Sequence, residues 1–323
     1  MMRRTAPGVD RALATGQGRT RDGQPISYNR APAPDLAPWV ARLYVSIIDA
    51  PADYQIDCGV LLDTPLLHVQ LRGDYTVVTA DGPVSYGRAA MYFGPQSKLM
   101  PARGSGSFAS VGMAGRPGAP FALGWGGLGP FIDRVTPVDT FGKFSEELLG
   151  LLSPQATPET WLQALEDYVR GHIDRLGRKL PDPVTTRFEL LAFADPTANI
   201  ADFARECDID QRRLERIVRR DFGLTPKQVL RRARALDMAS HLRGVADQAE
   251  AEEAMLRYYD QSHLIREFTA LFGMSPRQFI AKPQPILTQG LESRQARRLE
   301  LLERLVPGEL RPWEQPSLSR TGS

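Results

Sequence analysis

Between residues 212 and 234 the chain carries Arg212, Arg213, Arg216, Arg219, Arg220, Lys227, Arg231, Arg232 and Arg234 against only Glu215 and Asp221. Guanidinium and ammonium groups at that density attract phosphate oxygens, and binding built on them weakens as salt rises. The competing explanation is a solvated helix face, which is what most charge runs are. Net charge over all 323 residues is only +2, so an electropositive surface must come from local distribution. Other chemistry is thinly supplied. His68, in LLHVQL, has no HxH partner for a metal-dependent β-domain and reads as a strand residue. Cys58 and Cys207 are too few for a disulfide framework or a zinc cluster, and nothing basic adjoins Cys58 to make a reactive thiolate. The glycine-rich run Gly115–Gly129 has neither a Walker lysine nor GxGxxG spacing. It reads as a turn-rich loop around a short helix, with Phe121 and Trp125 packing into the core. With no catalytic constellation in view, no enzyme activity, cofactor or metal is expected.

The elements that must position the basic block come in two copies. Asp208–Val229, DIDQRRLERIVRRDFGLTPKQV, recurs fifty residues later as Tyr258–Phe279, YYDQSHLIREFTALFGMSPRQF. Asp210, Gln211, Leu214, Arg216, Phe222, Gly223, Pro226 and Gln228 fall on Asp260, Gln261, Leu264, Arg266, Phe272, Gly273, Pro276 and Gln278. Two copies without a third indicate a duplicated small domain rather than a solenoid. In each copy an aspartate, Asp210 or Asp260, is placed to cap a helix that runs to Phe222 or Phe272. Leu214, Ile217 and Val218, or Leu264, Ile265 and Phe268, give that helix one apolar face. Gly223 and Gly273 stop the helices, and Thr225-Pro226 or Ser275-Pro276 opens the next. Shorter helical stretches, Ile200–Glu206 and Glu250–Leu256, come just before, across a turn of about four residues. A short helix, a tight turn and a second helix with a polar outer face make a helix-turn-helix.

Two such units, each closing in FG, then Leu or Met, then Thr or Ser, then Pro, with YDQSHLIREF opening the second, resemble the AraC/XylS family of transcription regulators. The resemblance runs from roughly Pro183 to Lys282. It implies a long helix, Pro226 to Arg243, joining the units, and recognition helices 210–222 and 260–272 set into successive major grooves of DNA. By position in the matched helices, Arg212, Glu215, Arg216, Gln261, Ser262 and Arg266 are candidates for base edges: Arg donates twice to guanine, Gln pairs with adenine, Glu accepts from cytosine. Gln211, Arg219, Thr225, Lys227, Arg231, Ser275 and Arg277 are candidates for phosphates, which set register without reading sequence. The family's usual turn glycine is replaced by Asp208 in the first unit and Arg257 in the second. Asp tolerates a left-handed turn better than Arg does. The alternative is therefore a ligand- or protein-binding regulator that has lost DNA reading in the second unit.

The expected architecture is α+β. Residues 1–37, charged and rich in Gly and Pro, read as a disordered arm. Residues 38–140 read as a small β-sandwich or barrel: Leu43–Ile48, Leu66–Leu71, a hairpin over Tyr75–Tyr86 turning at Asp81-Gly82, Ala89–Phe93 and Phe108–Met113. This half resembles the cupin-like sensor of one subset of the family, which implies a regulatory role. Residues 141–178 read as amphipathic helices, their Trp161, Leu162, Leu165, Tyr168, Val169 and Ile173 stripe serving either a dimer seam or the chain's own β-domain. A linker is expected at 179–184, the double helix-turn-helix at 185–282, and a basic tail at 283–323. In that tail Pro283–Gly290 breaks the chain, Leu291–Leu305 is helical and the residues from Pro307 are disordered. Double-stranded DNA is the expected partner, with RNA polymerase, a small-molecule effector and a second copy of the chain as further candidates. With no apolar run of roughly eighteen residues and no signal-like start, a cytoplasmic protein with no membrane partner is expected.

Overall fold

The computed structural model describes residues 7–247, 261–306 and 308–314. Its first half is one antiparallel sheet of nine strands: β1 (Ala14–Thr15), β2 (Tyr28–Arg30), β3 (Val40–Asp49), β4 (Gln55–Val60), β5 (Leu66–Thr79), β6 (Gly82–Tyr86), β7 (Ala89–Phe93), β8 (Met100–Gly115) and β9 (Val135–Pro137). The order is β1-β3-β8-β5-β7-β9, with β2 on β3, β4 on β8 and β6 on β5. The expected sandwich or barrel thus takes the form of a single bent sheet. Register shifts at Gln70/Arg72 and Arg72/Asp74 make the bend, because an extra residue in a ladder kinks its strand. Gly73 at that corner has φ +86°, and a Cβ there would come within 2.6 Å of the Ser107 carbonyl oxygen. Beyond the corner β8 exchanges β3 for β4 as its second neighbour. That part of β8, MPARGSGS, reads as a loop in sequence, since glycine and serine bring little strand propensity. The hairpin turn is as expected, with Gly82 at φ +111°.

Helices α2 (Ser145–Leu151) and α3 (Pro158–Arg175) cover one face of the sheet. Trp161, Leu162, Leu165, Val169 and Ile173 join Leu43, Val45, Val69 and Val111 in one core. The amphipathic stripe is therefore packed against the chain's own sheet. In the connecting loop α1 (Ala119–Ala122) is short. Trp125 is half-buried and stacks on Phe141 at the edge of that core, with centroids 5.2 Å apart. Phe121 does not enter the core: it is 46% exposed and lies under the Arg220 guanidinium.

The second half is helical: α4 (Pro183–Ala194), α5 (Ile200–Glu206), α6 (Gln211–Phe222), α7 (Pro226–Leu242), α8 (Gln261–Phe272), α9 (Pro276–Ala281) and α10 (Pro285–Leu301). Helix α7 is the shared spine. Val229, Leu230 and Ala233 pack with Phe188, Phe203, Leu214, Val218 and Phe222 in one core. Leu236, Met238, Ala239 and Leu242 pack with Leu264, Phe268, Phe272 and Phe279 in another. The stretch Glu250–Leu256, the Arg257 turn and the Asp260 cap lie outside the described residues.

Both termini depart from expectation. Within the expected disordered arm, residues 7–37 are built into the fold: Leu13, Ile26 and Leu36 are buried, and Arg30 pairs with Glu159 at 2.9 Å and Glu166 at 2.7 Å. In the tail the expected break at Pro283–Gly290 is confined to its first residues, Pro283 and Gln284; the helix starts at Pro285, in the first turn where its missing N–H costs nothing, and ends at Leu301 rather than Leu305. Helix α10 then runs between the sheet and α7, and past it Trp313 is fully buried, its indole donating to Glu292 at 3.2 Å. An arm rich in Gly and Pro lacks a local pattern, so only contacts distant in sequence order it.

Candidate nucleic-acid interface

The first unit forms as its local chemistry dictates. Asn199 caps α5 by accepting from the Ala201 and Asp202 amides. The chain then turns at Asp208, whose φ of +54° is the left-handed geometry expected of the missing glycine's position. Asp210 caps α6, accepting from the Arg213 amide at 2.7 Å. Gly223, at φ +74°, ends α6. Thr225 opens α7 in a full capping box with Gln228, and Ser275 with Gln278 repeats it ahead of α9. The repeat in sequence is thus a repeat in backbone geometry wherever both copies are described.

Helix α6 buries Leu214, Ile217, Val218 and Phe222 and turns Gln211, Arg212, Arg213, Glu215, Arg216 and Arg219 to solvent. Of the base-edge candidates, Arg212 and Arg216 share this outer face with Glu215. Glu215 pairs with Arg219 at 2.9 Å, an exposed i,i+4 contact of little energetic weight that DNA can exchange. On α8, Leu264 and Phe268 are buried while Ser262, His263 and Arg266 are exposed. The side chain of Gln261 lies outside the described residues. His263 lies 3.2 Å from Glu267. Among the phosphate candidates, Lys227 and Arg277 are exposed one residue into α7 and α9, and Arg231 is half-buried. The Thr225 and Ser275 hydroxyls are occupied by their capping boxes, which makes them the least available of the set.

The basic run divides in two. Arg212, Arg213, Arg216, Arg219 and Lys227 face water, whereas Arg220, Arg232 and Arg234 turn inward. Arg220 binds buried Asp221 at 2.6 Å, which also accepts from the Thr185 hydroxyl. Arg232, 1% exposed, donates to the Gln96 and Asp63 carbonyls of the sheet half at 2.7 Å each. Burial draws its guanidinium down to about 10, which leaves it charged at neutral pH. Backbone contacts add to this join: the Leu99 amide donates to the Leu271 carbonyl at 2.7 Å, and the Leu128 amide to the Arg220 carbonyl at 2.8 Å. The sheet half therefore holds the C-terminal ends of both α6 and α8. Arg213 was not among the site candidates, although its place in the run, two positions after Gln211, is the signal that marks it.

Elsewhere, Cys58 is buried and its thiol is pushed up to about 12 by that burial, the reverse of a reactive thiolate. Among the described residues no three His, Cys, Asp or Glu side chains converge as a metal would require. No helix among them is long and apolar enough to cross a membrane.

Helices so placed, with an outward basic face on the second helix of a capped pair, define a DNA-binding transcription regulator. Residues 203–282 match the family described as a helix-turn-helix domain, and this domain is of AraC type. No curated protein matches the chain. Among solved structures, ToxT from Vibrio cholerae with an unsaturated fatty acid bound is 11% identical over 74% of this chain and 94% of that one, at a TM-score of 0.43. ToxT from Vibrio cholerae O395 bound to (E)-4-(8-methylnaphthalen-1-yl)but-3-enoic acid is 9% identical over 74% and 98%, also at 0.43. The AraC-like transcriptional activator CuxR is 13% identical over 62% and 78%, at 0.28. At these scores the likenesses add nothing to what the family match carries.

Proposed function

We propose that the protein reads specific DNA sequences by setting α6 and α8 into successive major grooves, with the sheet half as its regulatory part. The observation that carries this is the outer face of α6, where Arg212, Arg213 and Arg216 are exposed together on a helix whose other face is buried in the unit's core. Arg212, Glu215 and Arg216 then meet base edges in one groove, and Gln261, Ser262 and Arg266 in the next. Gln211, Arg219, Lys227, Arg231 and Arg277 meet phosphates and fix the register. Thr225 and Ser275 contribute chiefly by holding the helix starts that present Lys227 and Arg277.

The test is selection of bound sequences from a random DNA pool at near-physiological salt. Two enriched blocks about ten base pairs apart are expected. One block would favour a second reading, a regulator whose second unit has left base recognition. That reading draws on the exposed face of α8, where Ser262 and Thr269 stand in place of the Arg212 and Arg219 of α6. No enrichment would overturn DNA reading altogether.

A further inference from the structure

On the sheet face opposite α3, the strands and α10 enclose a cavity of about 120 Å³. Its floor is aromatic, with Tyr44, Tyr75, Phe93 and Phe108 around His68. Its roof is α10, through Gln289, Gly290 and Ser293. Three polar atoms of this lining are buried without a hydrogen-bond partner: the Tyr75 hydroxyl, Ser110 Oγ and the Gln289 amide nitrogen. Folded proteins leave few such groups, and here three belong to residues that line one cavity.

The lining also fixes the occupant's charge. Arg42 is matched by Glu300 at 2.7 Å, Arg294 by Asp63 at 2.8 Å and Asp237 at 2.5 Å, and Arg297 by Glu189 at 2.5 Å. An anion finds no cation to spare, and a cation finds no carboxylate to spare. His68 is held between the Tyr44 hydroxyl at 2.8 Å and Gln70 Oε1 at 2.9 Å. Burial pushes it down to about 4, so it stays neutral. A void of ~150 Å³ accepts benzene, so this one is scaled to a single ring.

We propose that this cavity binds an uncharged one-ring molecule whose hydrogen-bonding groups meet the Tyr75 and Ser110 hydroxyls and the Gln289 amide. Its roof connects to the DNA-binding half, because Arg294 on α10 also holds Asp237 on α7. A role as an effector site rests on the regulator reading above; binding itself does not.

The test uses the full-length protein without DNA and two probes, 4-hydroxybenzyl alcohol and its anionic counterpart 4-hydroxybenzoate, followed by saturation-transfer NMR and calorimetry. The alcohol should bind saturably, and the benzoate at least about tenfold more weakly. Gly290 has no atom within 4 Å of where a Cβ would stand, so Gly290→Leu should fill the void and abolish binding in a folded protein. Ser110→Ala should weaken the alcohol about tenfold, the value of one lost hydrogen bond, and decides the matter if Gly290→Leu fails to fold. No saturable uptake of the alcohol at millimolar concentration would mean that the cavity holds water only. That result, equal affinity for the benzoate, or undiminished binding by either folded variant overturns the proposal. None of these readouts involves DNA, so they fail independently of the pool selection.

Discussion

Arg234 on α7 grips Glu267 on α8 through two hydrogen bonds, Nη2 to Oε1 at 2.8 Å and Nε to Oε2 at 3.0 Å. Its remaining nitrogen, Nη1, donates to the Pro196 carbonyl at 2.8 Å, just ahead of α5. One side chain thus ties the linking helix to both helix-turn-helix units, and the planar fork sets their angle as well as their distance.

Removing that fork should cost more than a surface pair does. Arg234→Ala leaves Glu267, whose side chain is 7% exposed, without its guanidinium. We expect a loss of about 3 kcal/mol in urea unfolding, with Arg234→Lys falling between because one ammonium cannot serve three acceptors at fixed angles. The double variant Arg234→Ala, Glu267→Leu should recover much of the loss. A change under about 1 kcal/mol in the single variant would show the clasp to be ornamental.

On DNA, Arg216→Ala should cost about 1 to 3 kcal/mol on the selected site and little on random DNA. Titration of both DNAs by fluorescence anisotropy distinguishes the cases. Equal losses on the two would reassign Arg216 to phosphate.

Lys227 makes the complementary case. Lys227→Ala should weaken binding to every sequence alike and reduce the slope of log K against log salt by about one. An unchanged slope would remove Lys227 from the interface.

The left-handed Asp208 gives a prediction about folding alone. Its φ of +54° suits glycine best and a β-branched residue worst. Asp208→Gly should therefore be neutral or slightly stabilising, while Asp208→Val should lose about 1 to 2 kcal/mol. Thermal unfolding of the pair reads the difference; similar melting temperatures would contradict it.

His68 makes stability depend on pH. Its folded value of about 4 lies below the ~6.5 of an unfolded chain, so between those values only the unfolded state takes up the proton. The contribution is complete above about pH 6.5 and is lost as pH falls toward 4, to the order of 3 kcal/mol. His68→Gln should flatten this part of the stability curve relative to wild type. Curves that run parallel over that range would show His68 titrating normally.

The duplicated unit was legible because its determinants are local. A cap such as Asp210 acts on an amide three residues on, an apolar stripe such as Leu214, Ile217 and Val218 repeats every turn, and a glycine such as Gly223 stops the helix where it stands. The position of Asp208 in the motif was enough to foresee its left-handed turn. The sheet was legible only where pattern and pairing agree, as in Ala89–Phe93, and not at MPARGSGS, whose strand exists because β4 and β5 flank it.

The sequence by itself determined the first helix-turn-helix unit with its caps, the Gln261–Phe272 helix and the Ser275 cap of the second, and the basic run, since each follows from residues within one or two helical turns. Tertiary structure alone decided which arginines of that run face water. It sent Arg220, Arg232 and Arg234 inward to Asp221, the Gln96 and Asp63 carbonyls and Glu267, partners from one to 169 residues away. It likewise ordered residues 7–37, spent the α3 stripe on the sheet and drew α10 over the cavity. The physical reason is the same in each case: a charged or apolar group takes whichever partner burial brings near, and a sequence pattern records the group but not the partner.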